Sequence, residues 1–215
     1  MRMVIEDFGP RVASVWEGLR STTRSLVEKA LQSSAPGQAA QPPSQARTEG
    51  RAYDARADWE LSRLLSALDD RAAEDGASLN AEQSKELRLM ADTTAFVLQN
   101  QTRSAEVFAQ LVARAHRAHD FKRIDQLADA LNARFAPSEI CELARNDDAV
   151  VRALAQEALA QAPTYLLISL LADPVDLEIA RDALERQATD YGSEEARRIV
   201  AILNHADAIE DDLLD

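Results

Sequence analysis

The chain has 215 residues, with 37 acidic against 24 basic side chains, a net charge of −13 and a single cysteine. That charge opposes a role as a general nucleic-acid binder, because neutralising phosphates takes clustered Lys and Arg. One cysteine excludes an internal disulfide and a zinc site built from several thiolates.

The apolar share is 46% and the aromatic share only 5%. Strong helix formers dominate, so the expected fold class is all-α. No stretch approaches the ~20 apolar residues of a membrane-spanning helix. Glu6, Asp7 and Glu17 interrupt the N-terminus, which lacks the apolar run of a secretory signal. A cytoplasmic protein is expected.

Residues 1–32 read as one amphipathic helix. Val4, Ile5, Phe8, Val12, Val15, Trp16 and Leu19 recur at helical spacing, with a bend expected at Gly9-Pro10. The stripe can pack on the body of the protein, or it can be a separate anchor. Residues 33–57, "SSAPGQAAQPPSQARTEGRAYDARA", carry almost no large apolar side chains. They predict a disordered linker, and a linker makes a separate helix feasible. Residues 1–47 carry a net +2, so the other 168 carry −15.

From 58 to 208 the chain predicts continuous helices. Trp59, Leu61, Leu64, Leu65 and Leu68 mark the first, and Gly76 breaks it. Asn80 with Gln83 predicts a capping box for the second. Thr102 is placed to cap a third, which carries Val107, Phe108, Leu111, Val112 and Ala115. Phe121, Ile124, Leu127, Ala128 and Leu131 share one face of the next.

A duplication follows. "APSEICELARNDDAVVRALAQEAL" begins at Ala136 and "APTYLLISLLADPVDLEIARDAL" at Ala162. The first halves align at an offset of 26 residues and the second halves at 25, so one residue is lost in the turn. Pro137 and Pro163 suit the first turn of a helix. Asp147 and Asp173 suit the start of a second, where a carboxylate accepts free amides. Each unit predicts a helix, a tight turn and a helix. Neither pair can cover its own apolar face, so the units must stack. Leu154, Leu159, Ile179 and Leu184 should then be buried, and Ile199, Val200, Ile202 and Leu203 supply a closing helix.

Asp148, Val151, Arg152, Ala155 and Ala158 give this segment a pattern that resembles HEAT-type helical repeats, over about Ala136 to Ala188. The stretch "HDFKRIDQLADALNARFAP" also resembles half of a tetratricopeptide unit, without that family's upstream Trp-Leu-Gly and Tyr signature. The HEAT resemblance implies an α-solenoid that binds other proteins. HEAT-like proteins also include DNA-repair glycosylases and bilin lyases, so the resemblance admits a glycosylase or a tetrapyrrole lyase as alternatives. The glycosylase would need a basic groove, which the net charge opposes, and the sequence marks no tetrapyrrole pocket.

Candidate sites are few. Phe8, Trp16 and Leu19 would face a partner if the first helix were free. Its polar positions mix Arg11, Arg20 and Arg24 with Glu6, Asp7 and Glu17, so attraction to a membrane surface is weak and a protein partner is preferred. Arg114, Arg117, Lys122 and Arg123 form the densest basic patch. It reads either as a solvated helix face or as a dock for an acidic group. His116 and His119 stand three apart, without a third ligand at a convincing spacing. Cys141 reads as a small buried hydrophobe. Residues 209–215 close an acidic tail, "ADAIEDDLLD", in which Leu213 and Leu214 could enter a partner groove. No phosphate loop, nucleophile elbow or HExxH motif is present. The sequence therefore predicts a non-catalytic scaffold with protein partners and no cofactor or metal.

Overall fold

A computed structural model describes residues 5–33, 53–74 and 79–214, with side chains to residue 205. Among the described residues it contains eleven α-helices, one short 3₁₀ turn and no strand. The chain divides into two compact units, residues 1–107 and 108–215.

In the N-terminal unit a 3₁₀ turn, Ile5–Phe8, precedes α1 (Pro10–Gly18) and α2 (Ser21–Ser33). The break at Gly9-Pro10 follows from both residues. Gly9 has φ +102°, a conformation that favours glycine, and Pro10 opens α1 without an amide to satisfy. A second break, at Leu19-Arg20, follows Gly18, the last residue of α1, and has no proline.

The next two helices are α3 (Ala55–Ala73) and α4 (Ala81–Gln101). They pack on each other, α1 lies on α3, and α2 lies on α4. Phe8, Val12, Leu19 and Val27 are buried with Leu61, Leu64, Leu65 and Leu68. This corrects the expectation of a separate N-terminal helix. The apolar stripe completes the core of its own unit, because α3 and α4 alone leave their apolar faces uncovered. Helix α3 also starts earlier than 58. Asp54 caps it, accepting the amides of Arg56 and Ala57 at 3.1 Å each. Most of the expected linker and Gly76 lie outside the described residues.

The capping box of α4 is present. Asn80 Oδ1 accepts the Gln83 amide at 2.9 Å, and Gln83 Oε1 accepts the Asn80 amide at 2.9 Å. Thr102 ends α4 instead of capping the helix after it. Ser104 takes that role, its hydroxyl accepting the Val107 amide at the start of α5 (Ala105–Arg117). The boundary between the two units falls within α5.

The C-terminal unit continues with α6 (Phe121–Arg134), α7 (Pro137–Ala144), α8 (Ala149–Gln161), α9 (Thr164–Leu170), α10 (Leu177–Thr189) and α11 (Glu194–Leu214). The duplicated sequence gives two hairpins, α7–α8 and α9–α10. Their first helices have eight and seven residues and their second helices thirteen each. The hairpins touch through α7 with α9 and α8 with α10.

Their turns differ in detail. Asp148, not Asp147, caps α8, accepting the Val150 and Val151 amides at 2.8 and 3.3 Å. Pro163 precedes α9 and is not its first residue. Asp173 accepts the Val175 amide within the turn. Asp176 stands at the start of α10 with its carboxylate buried on Arg145 of the first hairpin, at 2.8 Å. Arg145 also donates to the Val175 carbonyl at 3.1 Å, so it ties one turn to the next.

Leu159 and Leu184 are fully buried as expected, but Leu154 and Ile179, expected to be buried with them, are only half-buried. Leu159→Ala and Leu184→Ala should each destabilise the C-terminal unit by about 2–5 kcal/mol, measured by urea unfolding. Leu154→Ala should cost less, because part of that side chain already meets water. Equal costs at Leu154 and Leu159 would contradict this packing.

Candidate functional site

The N-terminal unit presents a groove of about 380 Å³. Arg11 and Val15 of α1 form one wall. Asp58, Trp59, Ser62, Arg63 and Ser66 of α3 form the floor, and Tyr53, Ser104 and Glu106 close the ends. Helical spacing explains the floor. Residues 55, 59, 62 and 66 lie on one side of α3, while Leu61, Leu64, Leu65 and Leu68 face the core.

Trp59 was expected in that apolar stripe. It is instead 55% exposed, with the Arg63 guanidinium 4.7 Å from its ring centroid. The pair is one helical turn apart, which permits cation–π contact. A smaller hollow of about 90 Å³ shares Val15, Trp59 and Arg63, so the Trp59–Arg63 stack stands between two concavities. At the other end Arg103 lies 5.7 Å from the Tyr53 ring centroid. The Tyr53 hydroxyl donates to Asp58 at 2.9 Å, and Gln101 donates to the same carboxylate at 3.2 Å. Asp58 is 1% exposed, so these two bonds satisfy a buried polar side chain.

Beneath the smaller hollow lies Glu60, only 4% exposed. It accepts from the Arg20 amide at 3.3 Å, Arg20 Nε at 2.9 Å, the Thr23 hydroxyl at 2.5 Å and Arg56 Nε at 3.2 Å. Burial alone would raise its pKa. The Thr23 hydroxyl and the Arg20 amide and guanidinium outweigh that, and hold the carboxyl below the usual glutamate range. Arg20 immediately precedes α2 and Thr23 lies in its first turn, so Glu60 anchors the start of that helix from far away in sequence. This cluster ties the start of α2 to α3.

The C-terminal unit has a second groove, of about 660 Å³, across α8 and α10. Glu157, Asp182, Glu185 and Asp190 line it against one cation, Arg186. Glu157 accepts from the Tyr191 hydroxyl, from Gln161 at 2.7 Å and from Arg186 at 3.0 Å. The Tyr191 hydroxyl, then Gln161 and Arg186, hold the Glu157 carboxyl below its usual range, and Glu157 raises the Tyr191 phenol in turn. The cluster braces α8 against the end of α10.

The sequence-predicted residues do not converge. Phe8 and Leu19 are buried in the core, which withdraws them from any partner surface, and Trp16 is half-buried. Arg117 and Lys122 are exposed, and Arg114 and Arg123 are half-buried and already engaged within the protein. The Arg117 guanidinium donates to the Ala113 carbonyl at the end of α5, where a cation suits the helix dipole. His119 adopts φ +54° where α5 ends, with the Asp120 amide returning to the Ala115 carbonyl. Its place is set by helix termination. Among the described residues no group of three or more His, Cys, Asp or Glu could hold a metal ion. Cys141 is fully buried, and burial followed by the nearby Asp176 pushes its thiol up to about 12, which leaves it unreactive. The backbone stays helical through Leu214, and the side chains of Leu213 and Leu214 lie outside those described. Among the described residues no helix is long and apolar enough to cross a membrane.

Compared with known protein families, with curated proteins and with solved structures, the chain matches none.

Proposed function

We propose that the protein is a non-catalytic adaptor whose helices hold a rigid surface for a protein partner. The observation that carries this reading is Trp59, a large ring kept 55% exposed in a concave, aromatic-lined surface. Exposed Trp, Tyr and Arg in such a setting are the residue types that dominate binding energy at protein interfaces. We also read the two hairpins as a short HEAT-like solenoid. Their matched helix lengths, their like-with-like contacts and the Arg145 link between turns support it.

The alternatives draw less support. A glycosylase needs a cationic concave face, and the α8–α10 groove carries four carboxylates against one guanidinium. A lipid anchor at the N-terminus needs a free apolar stripe, and Phe8, Val12, Leu19 and Val27 are buried.

The test is affinity purification from the source organism with wild-type protein and with Trp59→Ala, compared by quantitative mass spectrometry. Truncating an exposed ring should leave thermal unfolding nearly unchanged. At least one co-purifying protein should fall about ten-fold or more, as for loss of a hot spot. An identical set from both proteins would refute the reading.

A further inference from the structure

We infer that the groove on the N-terminal unit takes an acidic linear segment of a partner protein, with its carboxylates on Arg63 and Arg103 and a large apolar side chain against Trp59. The inference rests on the adaptor reading and names the chemistry of the partner.

Arginine pairing in this unit points to it. Arg20 and Arg56 bind Glu60, Arg11 pairs with Asp70, and Arg71 pairs with Glu74. Arg24, Arg63, Arg88 and Arg103 pair with no carboxylate among the described residues, and of these Arg63 and Arg103 lie over aromatic rings that line the groove. Stacking uses the face of a guanidinium and leaves its edge donors, and that fork matches a carboxylate in two-point geometry. A ring also fixes the side chain in advance, so less rotamer freedom is lost on binding.

Of the two carboxylates in the lining, one is withdrawn. Asp58 is buried and satisfied by Tyr53 and Gln101. Glu106 stands at the edge, in the first turn of α5. Arg11 is paired with Asp70, so Arg63 in the lining and Arg103 beside the Tyr53 ring are the guanidiniums a ligand can engage there, with Glu106 at the edge.

Size and screening decide between an acidic peptide and a nucleic acid. A cavity of about 380 Å³ has room for a few side chains, not a duplex. A short peptide feels mainly charges within a Debye length, about 8 Å at physiological salt. A polyanion would extend past the groove across a unit that is itself net acidic.

The test uses the full chain and a fluorescein-labelled synthetic peptide, SDEEFDEEIS, a sequence this chain does not contain, read by anisotropy. Its companion peptides replace every Asp and Glu by Asn and Gln, or by Lys. The acidic peptide should bind at least about ten-fold tighter than the amide peptide. The double variant Arg63→Glu, Arg103→Glu should lose at least that factor and gain affinity for the lysine peptide. A variant that merely misfolds cannot show that gain. Trp59→Ala should weaken the acidic peptide, with unchanged thermal unfolding. Equal binding of the acidic and amide peptides, or unchanged affinity in the double variant, would overturn the inference. So would tighter binding of a short oligothymidylate. If Trp59→Ala loses a cellular partner while the protein shows no preference for the acidic peptide, the adaptor reading stands and this inference fails.

Discussion

A chain lacking residues 1–33 is expected to lose the cooperative melt of its N-terminal unit. Phe8, Val12, Leu19 and Val27 are each at most 4% exposed in the intact protein. Burying a side chain of that size contributes about 1.5–3 kcal/mol, so the four together contribute about 6–12 kcal/mol. Whole domains are stable by only about 5–15 kcal/mol. The deletion would also bare the sides of α3 and α4 that α1 and α2 cover. Circular dichroism should show the C-terminal unit melting as before. Trp59 emission and near-ultraviolet dichroism should report that α3 and α4 no longer hold a fixed packing. A truncated chain that keeps two cooperative transitions would return residues 1–33 to the role of a detachable segment.

Glu60→Ala should destabilise the N-terminal unit by about 3–5 kcal/mol, because it strips a buried, multiply bonded anion from its partners. The Arg20 amide and the Thr23 hydroxyl then lose their acceptor at the start of α2. Arg56→Ala is the contrast. That side chain is 71% exposed, and exposed ion pairs contribute about 0–1 kcal/mol.

The pH dependence has a definite sign. The folded carboxyl of Glu60 titrates below the ordinary glutamate value. Its contribution is therefore fully present above that value and is lost as pH falls toward the folded pKa. Wild type should lose stability through this acid window, and Glu60→Gln should show a flatter acid limb. Denaturant unfolding from neutral to acid pH measures both. A cost under about 1 kcal/mol for Glu60→Ala would mean that α2 is held by apolar contacts alone.

The features that the sequence determined by itself are local ones. The capping box of Asn80 and Gln83 needs only residues three apart, and it formed where the pattern predicts. The spacing of Leu61, Leu64, Leu65 and Leu68 needs only the helical period. The duplication from Ala136 fixed two helical hairpins, and it marked Leu159 and Leu184 as buried through a correspondence that is itself sequential.

Tertiary structure decided the rest. Val12 and Leu19 form the same stripe whether a helix floats free or packs, because periodicity gives the face and not its partner. Only the packing of α1 on α3 and α2 on α4 settles it. Trp59 has the composition of a core residue. It became the exposed floor of a groove because Leu61, Leu64, Leu65 and Leu68 already occupy the core side of α3. The break between α1 and α2 has no proline to announce it. The residues just after it are held by a distant carboxylate, Glu60, and a long-range hydrogen bond has no signature in the neighbourhood of the residues it holds.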